Sequence, residues 1–153
     1  MKQKTVSVTI IILFLFFCCV SFQKEQISKY DHIEFEKSGC LGNCSAYKIS
    51  IDRKGNAAYE GITNVSFVGN FFCKLSRKEN KSLWRLIYSA KPDTMKEEYD
   101  YGAEDSQQRF LRCYSGDKVK EVRFGNNVPD ILKKIEADIK KIISGNAWKK
   151  SLK

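Results

Sequence analysis

Six cysteines carry most of the reactive potential of this chain, and their positions sort them into three groups. Cys18 and Cys19 close an apolar run, Cys40 and Cys44 flank Leu41-Gly42-Asn43, and Cys73 and Cys113 stand apart. A pair four positions apart across a Gly-Asn turn can reach disulfide geometry, with Cα atoms roughly 4.4–6.8 Å apart. A redox-active dithiol is the sharper alternative for Cys40 and Cys44. Such motifs place two residues between the thiols, however, and here there are three. A zinc site from Cys40, Cys44, Cys73 and Cys113 is disfavoured because only one close pair exists where such sites show two. No metal is expected. The four cysteines read as structural, with Cys40–Cys44 bonded and Cys73–Cys113 as a candidate second pair. Cys73 shares strand parity with Phe71 and Leu75, and Cys113 with Leu111, so both thiols are expected to face one interior.

His32 is the single histidine, so any Ser-His or Cys-His mechanism must use it. Its parity places it opposite Ile33 and Phe35, on the polar side with Glu34 and Glu36, as a solvated strand residue. The loop Glu97-Glu98-Tyr99-Asp100-Tyr101-Gly102-Ala103-Glu104-Asp105 gathers carboxylates that would suit Ca²⁺ or a general acid/base pair. Its spacing does not fit a calcium-binding loop, and it reads as a solvated loop. Asp100 and Asp105 remain the pair that a carboxylate hydrolase would use. No Gly-rich phosphate cradle is present, no catalytic residue is assigned and no cofactor is implied.

The N-terminus sets the compartment. Met1-Lys2-Gln3-Lys4 is a basic start, and Val6 to Phe17 is apolar except for Ser7 and Thr9. That is the layout of an export signal. Cys19, or Cys18 if cutting is earlier, is the expected lipidation site; cleavage after Ser21 and an uncleaved anchor are the alternatives. Export places the cysteines in an oxidising compartment. The expected organisation is a signal over 1–18, a polar tether over 19–29, one domain over 30–145 and a basic tail over 146–153.

Hydrophobic content of 42% and charged content of 29% are globular values, and only two prolines argue against a disordered chain. The formal net charge is +9, with Lys133, Lys134, Lys140, Lys141, Lys149, Lys150 and Lys153 concentrated late. A basic surface suits nucleic acid or anionic headgroups. Asp130, Glu136 and Asp138 interleave the late lysines, so that stretch reads as a solvated face and no nucleic acid partner is expected.

Period-two alternation predicts strands over Asp31–Glu36 and Tyr47–Asp52, with Gly55-Asn56 turning into a partner at Ala57–Glu60. One or two further strands are expected within Asn64–Leu75, broken near Gly69. Ser76-Arg77-Lys78-Glu79 has capping-box form and opens a helix whose stripe is Leu83, Leu86, Ile87 and Ala90. Pro92 ends it. Gln108–Tyr114 and Val119–Phe124 form a second hairpin. Pro129 opens the last helix, whose buried face is Ile131, Leu132, Ile135, Ile139, Ile142 and Ile143, and Gly145 stops it. This order predicts an α+β fold: a single antiparallel sheet of five to six strands with both helices on one face.

Cys40, Gly42, Cys44, Tyr47, Gly55, Tyr59 and Gly61 together resemble an exported bacterial family of unknown function. That family's signature is Cys-x-Gly-x-Cys-Pro-x-Tyr followed by a strand, a glycine turn and Tyr-x-Gly. Ser45 stands here where proline is usual. The resemblance extends through Asn64-Val65, Leu83, Tyr99, Asp105, Pro129 and Trp148. It implies an exported, often lipid-anchored domain, and brings no activity or catalytic residues. The favoured expectation is a non-catalytic cell-envelope lipoprotein domain, held to the membrane by its lipid and engaging an envelope protein or ligand. The alternative is an envelope enzyme, thiol-redox through Cys40 and Cys44 or hydrolytic through Asp100 and Asp105.

Overall fold

Alternating side chains build six substantial strands, and two amphipathic helices cover one side of them. The structure, a computed structural model, describes residues 29–100 and 106–151. The expected signal, most of the tether, Asp105 and the last two residues lie outside that range. Strands β1 (His32–Lys37), β2 (Ala46–Asp52), β3 (Asn56–Thr63) and β4 (Gly69–Lys74) precede helix α1 (Arg77–Ala90). A 3₁₀ turn (Pro92–Thr94), β5 (Glu98–Tyr99), β6 (Arg109–Ser115), β7 (Lys118–Phe124), α2 (Asp130–Gly145) and β8 (Lys149–Lys150) complete the chain.

The sheet order is β5-β7-β6-β1-β2-β3-β4-β8. The sheet is larger than the expected five to six strands: among the described residues it has eight. The additions are two-residue edge strands, too short to carry periodicity. β5 pairs with β7 in parallel, so the sheet is not wholly antiparallel. β8, within the stretch read as a tail, pairs antiparallel with β4.

Ile33, Phe35, Ile49, Ile51, Tyr59, Leu111, Val122 and Phe124 point to one face and bury against Leu83, Trp84 and Ile87 of α1 and Leu132, Ile135, Ile139 and Ile142 of α2. Both helices therefore occupy the same side, and burial of each such side chain stabilises by about 1.5–3 kcal/mol. The capping box at α1 forms as its sequence dictates. Glu79 N–H donates to Ser76 Oγ at 3.3 Å, and Ser76 N–H donates to Glu79 Oε2 at 2.9 Å. At α2, Pro129 is the N-cap rather than the first helical residue, and Gly145 is the last helical residue.

The motif glycines have steric reasons. Gly55 turns β2 into β3 with φ +82°, a conformation that L side chains rarely adopt. At Gly61 a Cβ would stand 2.0 Å from the Phe67 carbonyl oxygen, so the β3–β4 connection closes only over glycine.

Candidate functional site

Among the described residues, one face of the sheet has no helix packed on it, and the candidate site lies on that face. The same alternation that buries Ile33 and Ile51 turns His32, Ser50, Ala58 and Phe72 outward, and strand pairing sets them side by side. Ser50 pairs with Ala58, and Ala58 with Phe72. Two short side chains between bulkier neighbours leave a groove of about 830 Å³, with Phe72 and Lys149 along one side and His32 and Asp31 along the other. His32 stacks on Tyr114 with ring centroids 4.1 Å apart and planes 10° apart, so it forms a flat wall. Phe72 is 49% exposed, a large apolar surface beside polar groups.

One end of the groove is polar and braced. Asp52 accepts from Asn56 N–H at 2.8 Å and from its amide at 2.6 Å. Lys74 Nζ donates to Asn56 Oδ1 at 2.9 Å and to the Lys54 carbonyl at 2.6 Å. Beside the groove, Arg112 binds Glu34 at 2.9 Å and Glu36 and Glu121 at 2.6 Å each, while Lys48 reaches Glu34 at 2.9 Å. Burial pushes the Glu34 carboxyl up, but hydrogen bonds from Lys48 and Arg112 outweigh it and hold the group below its ordinary range.

The other chemistry-bearing residues are engaged structurally. Cys40 and Cys44 are joined in a disulfide with Cα atoms 5.6 Å apart. The bridge closes a surface loop that Asn64 Nδ2 ties to the β3–β4 connection through the Cys44 carbonyl at 3.2 Å. The second pairing expected from parity does not form: Cys73 and Cys113 are both free. Both lie on the core side, but β1, β2 and β3 stand between their strands, a separation of roughly 19 Å at about 4.8 Å per strand. Burial pushes the Cys113 thiol up to about 12 and the Cys73 thiol up to about 11, so neither is a ready nucleophile. Asp100 takes φ +47°, and its Oδ2 accepts the backbone N–H of Asn127 at 2.5 Å and of Asn126 at 3.2 Å. Its carboxylate thus fastens the loop after β7. Among the motif residues, Tyr47 and Tyr59 are buried core aromatics 5.9 Å apart, and Gly42 N–H approaches Cys40 Sγ at 3.3 Å.

A buried ionic cluster escaped sequence reasoning. Lys37 and Glu136 are 8% and 9% exposed, on the core side of β1 and on α2. Glu136 receives Arg109 Nε and Lys140 Nζ at 2.9 Å and Lys37 Nζ at 3.6 Å. Tyr47, beside them, has no hydrogen-bond partner for its hydroxyl among the described residues, and its pKa is raised first by burial and then by the Glu136 charge. Inward parity with Ile33 and Phe35 was the available signal for Lys37, and isoleucines on both sides of Glu136 were the signal on α2. Among the described residues, no cluster of three or more metal-ligating side chains is present.

An α+β domain with a single sheet, two helices on one of its faces among the described residues and a short disulfide before β2 is the class these features define. Residues 31–143 match the family described as a domain of unknown function (DUF6438), and the chain belongs to that family. No curated protein matches the chain.

Proposed function

We propose that this protein is an exported, lipid-anchored cell-envelope domain that binds a partner or ligand along the open face of its sheet, without catalysing a reaction. The groove over Ser50 and Ala58 carries this reading. It offers an aromatic wall, an exposed phenylalanine and a braced polar end on a rigid strand framework, which is the make-up of a recognition surface. The disulfide, Asp100 and Arg112 each have a structural occupation that accounts for their presence. The basic start and apolar run before Cys18 and Cys19 support export and acylation. Two or more acyl chains would hold the domain stably, since each buried methylene contributes about 0.8 kcal/mol.

Filling the groove tests the reading. A Ser50→Arg, Ala58→Arg double variant changes two outward side chains and none in the core. Its melting temperature is expected to stay within a few degrees of the unmodified protein. The complex solubilised from membranes with mild detergent should shrink to the size of the free protein, as read on native gels. An undiminished complex would overturn the groove as the binding surface. Rapid, reversible reduction of Cys40–Cys44 by a thiol-redox partner would instead favour the enzyme alternative.

A further inference from the structure

We infer that the outer face of α1 is an electrostatic footprint for an anionic membrane surface, and that it lays the domain on its helical side with the groove turned outward. This inference rests on the membrane-tethered reading above. The observation is a segregation of charge on one helix. Leu83, Trp84, Ile87 and Ala90 are buried, while Arg77, Lys78, Lys81 and Arg85 are exposed. At 100° per residue these four cations fall within an arc of about 100°, centred roughly 150° from the middle of the buried stripe. Among the described residues none of the four makes an ion pair. The single carboxylate of the helix, Glu79, is held by the capping box and by Asn146 Nδ2 at 3.0 Å. Tyr88 is exposed on the same arc, where an amphipathic ring suits the headgroup level.

Position names the partner. α1 lies across the end of the domain where the chain enters the sheet. At one end of the helix, Asn80 Nδ2 donates to the Arg53 carbonyl in the β2–β3 turn at 2.9 Å. Just beyond the other end, Asp93 pairs with Lys29, three residues before the first strand begins at His32. Arg53 stacks over Trp84 at 4.6 Å, with exposed Lys54 beside it, so two more cations flank the helix at this edge. A tether running from Cys19 to Lys29 would therefore deliver this cationic edge to the bilayer first. The helices cover the sheet face opposite the groove, so contact through the outer face of α1 leaves the groove floor at Ser50 and Ala58 turned away from the bilayer, while the groove's Asp31 and Asp52 end adjoins the tethered edge. Cations near an anionic leaflet each strengthen attachment about fivefold.

Lysine acetylation footprinting of the full chain, added to vesicles and read by mass spectrometry, tests this. Phosphatidylglycerol-containing vesicles should slow acetylation of Lys78 and Lys81 at least about fivefold relative to phosphatidylcholine vesicles. Lys48, on the open face, should be unaffected. High salt, or an Arg77→Glu, Arg85→Glu variant with an unchanged melting temperature, should abolish the protection. Equal labelling on both vesicle types while the chain floats with both would overturn the footprint and leave the tether standing. A chain that fails to float with neutral vesicles would overturn the tether, and the α1 labelling on anionic vesicles would still decide the footprint. Protection by a single-stranded oligonucleotide but not by anionic vesicles would overturn the membrane assignment.

Discussion

Glu136 governs the charge balance of the interior, because Lys37, Arg109 and Lys140 all converge on its one carboxylate. Burial raises its pKa, and Lys140 and Arg109 outweigh that and hold it below 4.5. For Lys37, burial and then the Lys140 charge push the ammonium pKa down, with Glu136 opposing them incompletely. The two residues should therefore respond differently to neutralisation. Glu136→Gln leaves buried cations without a counter-charge and is expected to destabilise the domain by about 3 kcal/mol in urea unfolding. Lys37→Met leaves Glu136 with two partners and should stay within about 1 kcal/mol of the unmodified protein. Equal losses from both would contradict this account of the cluster. A depressed carboxylate pKa contributes stability above its unfolded value that is lost as pH falls through the folded one. Glu34 and Glu136 both carry such shifts from 4.5, so stability should fall as pH drops below about 4.5, more shallowly in Glu136→Gln. An unchanged slope in that variant would remove Glu136 from the titration.

Among the elements, the disulfide loop and the edge strands behave differently from the central sheet. The loop Cys40–Cys44 leads into β2 and is held to the β3–β4 connection by one side-chain hydrogen bond. By chain entropy, a bridge closing so short a loop contributes roughly 2 kcal/mol. Replacing Cys40 and Cys44 by serine should lower stability by about that amount, with faster amide exchange confined to the loop and the start of β2. Exchange accelerating across β6 and β7 as well would show that the bridge supports the whole sheet. Elements with their own periodicity or caps were legible in sequence. The outward turn of His32 and the Ser76–Glu79 capping box follow from local patterns that the structure reproduces. Trp84 was missing from the expected stripe although it is buried beneath Arg53. β5 and β8 were illegible because two residues cannot display a period. The Cys73–Cys113 pairing failed for a related reason: parity fixes the face a side chain takes, while strand order fixes its neighbours. Ser50 and Ala58 were likewise readable as outward residues, but only the β2–β3–β4 register shows that they form the floor of a groove.

At the scale of the molecule, the sheet separates two surfaces with different chemistry. One side is layered with helices whose exposed positions are rich in lysine and arginine; the other is an open face of paired charges around a groove. A domain tethered through residues before Lys29 and resting on the helical side would present that groove away from the membrane. The proposal of an anchored binding domain stands or falls on occupancy of the groove in the envelope itself. The most direct measurement places a photo-crosslinking amino acid at Ala58, in the groove floor, in intact cells, and weighs the protein recovered from membranes. The account predicts a membrane-bound product with acyl chains on Cys19, or on Cys18, and a discrete added mass that the same crosslinker at exposed Lys141 of α2 does not yield. An unacylated protein recovered in the soluble fraction, with no added mass at Ala58, would contradict it.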